Sequence, residues 1–74
     1  MPKDNALRRF GKNIRIRREA LGLSQEALAE KADLDRTYIG GVERGERNAT
    51  LQTTLRIAKA LGATAAELCE GIDR

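Results

Sequence analysis

Histidine and tryptophan are absent from this 74-residue chain, cysteine and proline occur once each, and Phe10 and Tyr38 are the only aromatic residues. Without histidine, neither a Ser–His nor a Cys–His catalytic pair can form, and a Cys/His metal cluster is excluded. A lone cysteine, Cys69, cannot build a disulfide framework within one chain, which fits a reduced, cytoplasmic setting. No apolar run reaches the length of a membrane span, and the first residues do not form a signal segment, so neither membrane insertion nor export is expected. The carboxylates are scattered among candidate caps and ion pairs. No enzyme, no cofactor and no metal site is therefore expected.

With so few aromatics, a core must be built from Leu, Ile and Ala, which suits packed helices. Hydrophobic residues make up 41% and charged residues 34%, a globular balance. One domain spanning residues 1–74 is expected, with residues 1–4, including Pro2, as a frayed tail. A core of this size is marginal, so pairing between chains would help it. The net charge is only +3, but half of the 14 basic residues fall in the first quarter: Lys3, Arg8, Arg9, Lys12, Arg15, Arg17 and Arg18. Such a run is either a solvated helix face or a phosphate-facing surface.

No stretch alternates with period two, and the pattern predicts five helices in an all-α bundle. The first runs from about Asn5 to Leu21, with Leu7, Phe10, Ile14 and Leu21 at helical spacing, and Gly22 stops it. Ser24 caps a second helix, "QEALAEKA". Asp35 caps a third, from Arg36 to about Arg44, closed by Gly45. Thr50 caps a fourth, "LQTTLRIAKAL", with Leu51, Leu55, Ala58 and either Ile57 or Leu61 on its apolar stripe. Thr64 and Glu67 form a capping box for the last helix, over about residues 65–71, which ends by Gly71.

Two short helices starting at Gln25 and Arg36 have helix-turn-helix spacing. In that arrangement the second helix enters the DNA major groove with its first residues on base edges. Those residues are Arg36, Thr37 and Tyr38. Arginine pairs bidentately with guanine, threonine touches a base or a thymine methyl, and tyrosine reaches a phosphate or an apolar base edge. One turn on stand two adjacent glycines, Gly40 and Gly41, each costing about 1 kcal/mol relative to alanine in a helix. Close approach offsets that cost if Gly41 packs against helix two and Gly40 faces the DNA; the alternative is a weakened helix end.

"GLSQEALAEKADLDRTYIGGVERGERNATLQTTLRIAKALG" resembles the Cro/C1-type (XRE) helix-turn-helix family, with its lambda-repressor-like five-helix fold. The likeness covers roughly residues 10–68. More narrowly, "LDRTYIGGVERGERNATL" is similar to the controller proteins of restriction–modification systems. Ala49 stands where many XRE proteins have proline, and Gly40 where some relatives have a serine able to contact DNA.

This resemblance implies base contacts from Arg36 and Thr37, and backbone contacts from Gln25, Tyr38, Arg47 and Asn48. Arg44 is either another backbone contact or a plain surface arginine. Arg18 and Glu43 match positions of a partly buried, structural ion pair. Homodimerisation through the C-terminal helix is implied, with Leu68, Cys69 and Ile72 as candidate seam residues, although Leu68 also suits the monomer core. The implied function is a homodimeric regulator of transcription on palindromic double-stranded DNA operators, activating at low dose and repressing at high dose, with RNA polymerase as a possible partner. A phage-type repressor or an antitoxin of the same fold is the nearest alternative. A helical protein-interaction module without DNA binding is the alternative of another class.

Overall fold

The computed structural model describes residues 5–73; Pro2, Lys3 and the rest of the expected tail lie outside them. Five helices follow in order: α1 (Asn5–Ala20), α2 (Gln25–Ala32), α3 (Arg36–Glu43), α4 (Leu51–Leu61) and α5 (Ala65–Leu68). Their starts are set by local chemistry. The Ser24 hydroxyl accepts from the Ala27 N–H, Asp35 Oδ2 from those of Thr37 and Tyr38, and the Thr50 hydroxyl from that of Thr53. Each satisfies a donor that the first helical turn leaves without a partner. Thr64 and Glu67 satisfy each other's backbone N–H groups, closing the expected capping box.

The ends differ in detail. Asp33, not a glycine, terminates α2 in the left-handed region at φ 58°, a conformation aspartate tolerates better than most residues. The α-helical part of α5 covers four residues and gives way to turns through Asp73. It is shorter than the sequence pattern implies, and α1 holds the turns that follow it: Asn13 Nδ2 donates to the Leu68 and Glu70 oxygens at 2.8 and 2.9 Å.

The helices pack α1 on α3 and α5, α2 on α3 and α4, and α4 on α5. One apolar cluster fills the space between them, with Ile14, Leu28, Ile39, Ile57, Leu68 and Val42 fully buried and Phe10 nearly so. Four expected stripe residues lie outside it: Leu7 is only half-buried, and three are exposed. Leu21 is 55% exposed, Leu51 74% and Leu55 52%. The buried side of α4 is instead Thr54, Ile57, Ala58 and Leu61. Leu51 and Leu55 repeat at helical spacing on a neighbouring face, which periodicity alone cannot separate from the core face.

A close approach that the sequence pattern did not reveal sets the angle of α1 on α3. Gly11 lies against the carbonyl groups of Val42 and Glu43, and a Cβ there would come within 2.7 Å of the Glu43 carbonyl carbon. The absent side chain lets two helix backbones touch.

Candidate nucleic-acid interface

Three residues separate α2 from α3. Asp35 fixes the start of α3 by accepting from the N–H groups of Thr37 and Tyr38, and the first turn is exposed. Arg36 and Thr37 project there, both exposed, and neither side chain has a hydrogen bond or ion pair among the described residues. Tyr38 is half-buried and packs against the core, so its ring is braced. A helix start with uncommitted donors and an arginine fork can read base edges.

Gln25 opens α2 and is tied to the interior. Its Nε2 donates to Glu43 Oε1 at 3.0 Å. The same carboxylate receives Arg18 Nε at 2.7 Å and Arg18 Nη2 at 3.0 Å, while Arg18 Nη1 donates to the Leu23 carbonyl at 2.8 Å. The expected Arg18–Glu43 ion pair is thus present, buried and fully hydrogen-bonded, with α1, α2 and α3 meeting at one carboxylate. Bidentate geometry and satisfied donors are what let a buried pair hold. The hydrogen bond to Glu43 is the main cause that raises the Arg18 pKa above its ordinary value, partly opposed by burial. Glu43 is structural, although it lies directly behind Gln25.

The two glycines of α3 do not lie where expected: Gly40, not Gly41, meets α2, and neither faces open solvent. Gly40 faces α2: a Cβ there would lie 3.4 Å from Gln25 Oε1 and 3.0 Å from Arg44 Nη1. Gly41 packs under the stem of Arg47, whose Cγ would be 2.7 Å from such a Cβ. Both are buried, so neither presents bare backbone to a ligand. Three expected DNA-contacting side chains, Gln25, Arg44 and Arg47, lie over them. Sequence reasoning caught the close approach but could not say which neighbour makes it.

Beyond α3, Arg44 and Arg47 are exposed. Arg44 Nη2 also pairs with Glu46 Oε1 at 3.1 Å. Asn48 is exposed and lines a groove of about 190 Å³ with Leu7, Phe10, Cys69 and Ile72. Of the expected seam residues, Leu68 is fully buried in the monomer core and is unavailable to a partner. Its burial follows from Asn13 and the capping box pinning α5 across α1 and α4. Cys69 is exposed, and Ile72 is half-buried against the core. Four large apolar side chains are exposed: Leu51 and Leu55, a turn apart on α4, Ile16 on α1, and Leu21 just after it.

A helix-turn-helix family model matches residues 14–68, and the chain belongs to that family of DNA-binding transcriptional regulators. Within it, the chain is similar to named control proteins. It is 53% identical over 59 residues to the control protein C.SmaI of Serratia marcescens, covering 80% of this chain and 70% of that one. It is 45% identical over 62 residues to the control protein C.BamHI of Bacillus amyloliquefaciens, covering 82% and 76%. The crystal structure of the restriction–modification controller protein C.AhdI from Aeromonas hydrophila superposes with a TM-score of 0.82 at 52% identity, covering 84% of this chain and 94% of that one.

Proposed function

We propose that this protein is the controller of a restriction–modification system, a homodimer that binds palindromic operators in double-stranded DNA, activating transcription and repressing it at higher dose. The observation that carries the reading is the exposed, uncommitted pair Arg36 and Thr37 at the capped start of α3, three residues after α2. The similarity to control proteins narrows the class. Arg36 and Thr37 read bases; Gln25, Tyr38, Arg44, Arg47 and Asn48 hold the phosphate backbone. Two subunits would set their recognition helices about one DNA turn, roughly 34–36 Å, apart.

The dimer seam is assigned to the exposed Leu51 and Leu55 of α4, with Cys69 and Ile72 beside the C-terminal turns, in place of Leu68. RNA polymerase is the partner that activation would require. No described helix is long and apolar enough to cross a membrane, and the proposed site of action is the cytoplasm.

Selection of bound duplexes from a random library tests the reading. A palindrome with one-turn half-site spacing is expected. Arg36→Ala should lose roughly 1–3 kcal/mol of discrimination at one guanine per half-site. Equal weakening on operator and random DNA would assign Arg36 to phosphates instead, and failure to enrich any sequence would overturn the function.

A further inference from the structure

The basic residues of α1 divide by the neighbours they meet. Arg17 Nη2 pairs with Glu67 at 3.6 Å, and the Arg9 guanidinium lies against Gly71, so both turn toward the C-terminal segment. Arg18 is buried in its ion pair with Glu43. Arg8 and Arg15 also meet the α3 side, although Arg8 lines a groove with Arg9, Lys12 and Gly71 as well. They stand seven residues apart, two turns along one helix face, and flank the line of Gly11 and Arg18 where α1 touches α3.

At one end, Arg8 packs on the turn after α3: a Cβ on Gly45 would lie 2.8 Å from Arg8 Cγ and 3.0 Å from its Cα. Gly45 also holds φ +77°, so this position favours glycine for both space and backbone conformation. That turn carries Arg44 and Arg47. At the other end, Arg15 lines a cleft with Gln25, Glu43 and Arg44. Each of the two exposed arginines is therefore next to a residue assigned to the phosphate backbone. Arg8 has no ion pair among the described residues. Arg15 has only an exposed contact to Glu19 at 3.2 Å, the kind of pair that contributes little and yields readily to a stronger anion.

We propose that Arg8 and Arg15 form an outer phosphate-binding rail on α1, contacting the DNA backbone on the flanks of each half-site. The proposal rests on α3 being the recognition helix. It adds contacts from a helix that reads no base, so they tighten binding without changing sequence preference.

The test compares Arg8→Gln, Arg15→Gln and the double variant with Arg9→Gln, which removes the same charge from an arginine whose guanidinium lies against Gly71. Circular dichroism and melting first confirm that each is folded. Operator affinity is then measured across salt concentrations, on a duplex with long flanks and on one trimmed to the base-contacted half-sites. On long duplexes the slope of log K against log salt should fall by about 1 per subunit for each rail arginine removed. Base preference should be unchanged, Arg9→Gln should leave the slope as it was, and trimming the flanks should erase the differences. Unchanged slopes for both rail variants would overturn the proposal, as would an equal change in Arg9→Gln, which would mark only net charge. Arg36→Ala, measured alongside, reports on the function itself: if it leaves sequence preference intact, the recognition-helix reading fails whatever the rail variants do.

Discussion

Arg18 of α1 and Glu43 of α3 share two hydrogen bonds, at 2.7 and 3.0 Å, in a site where the Glu43 side chain is 3% exposed. The pair joins the helix that carries the basic run to the proposed recognition helix, and Gln25 hangs from the same carboxylate. Glu43→Ala strands a buried guanidinium, and breaking such a pair costs about 3–5 kcal/mol. Urea midpoints should fall accordingly, and the small core leaves little reserve. Arg18 stays protonated throughout the working range because its pKa is raised from an already high value, so its guanidinium should give no pH dependence near neutrality. A Glu43→Ala variant as stable as wild type would show that the pair has no structural role.

Two glycine substitutions should act in opposite directions. Gly11→Ala places a methyl group against backbone carbonyls of α3 that cannot rotate away. Overpacking of this kind costs roughly 1–3 kcal/mol, which outweighs a helix-propensity gain of about 1 kcal/mol. At Gly40 the nearest atoms are the mobile ends of Arg44 and Gln25. Gly40→Ala should therefore keep most of the propensity gain, raising the melting temperature by up to roughly 4–8 °C for a domain this small. Its operator affinity should drop, since the displaced side chains belong to the proposed backbone contacts. Thermal melts and gel shifts on the same preparations check both; a destabilised Gly40→Ala or a stabilised Gly11→Ala would contradict the geometry.

For the dimer, Leu55→Glu is the informative change. Leu55 is half exposed and outside the core, so the monomer should fold normally, with an unchanged circular dichroism spectrum. Analytical ultracentrifugation should show monomer at concentrations where wild type is dimeric, and DNA binding should lose its steep dependence on protein concentration. Ile72→Glu is a poorer probe, because Ile72 packs against the core and its loss should lower stability as well. If Leu55→Glu remains dimeric, the seam is not on α4.

Acid sensitivity should arise partly at α5. The Glu67 carboxylate is held below its ordinary pKa first by the hydrogen bond from the Thr64 backbone N–H and next by the Arg17 charge. A depressed carboxylate stabilises the fold above its unfolded-state pKa, and that contribution is lost as pH falls through the folded-state value. Stability should therefore decline below the usual carboxylate range. Glu67→Gln keeps an acceptor for Thr64 but cannot titrate, so its urea midpoint should vary less between neutral and acidic pH. An identical pH dependence in the two proteins would remove Glu67 from the account.

Helix starts were legible residue by residue, because a cap is chemistry within three or four positions of the chain: Ser24, Asp35, Thr50 and the Thr64–Glu67 box all act as their spacing indicates. The spacing of α2 and α3 and the run from Arg36 to Tyr38 were legible for the same reason. Helical periodicity marked an apolar side of α4, but Leu51 and Leu55 fit a 3.6-residue repeat as well as Ile57 and Leu61 do. Only the positions of α2 and α5 decided which pair is covered. Leu68 is readable from the sequence as either core or seam, and only the packing of α5 on α1 and α4, which buries it fully, decides for the core. The contacts of Gly11, Gly40 and Gly41 lay beyond the sequence as well. A missing side chain announces that something comes close, and local order carries no record of what comes close. Local hydrogen bonds and charge spacing are properties of neighbours in the chain and can be read there. Which face is buried, which arginines stay free and which backbone touches which depend on helix crossings, and those exist only once all five helices have packed.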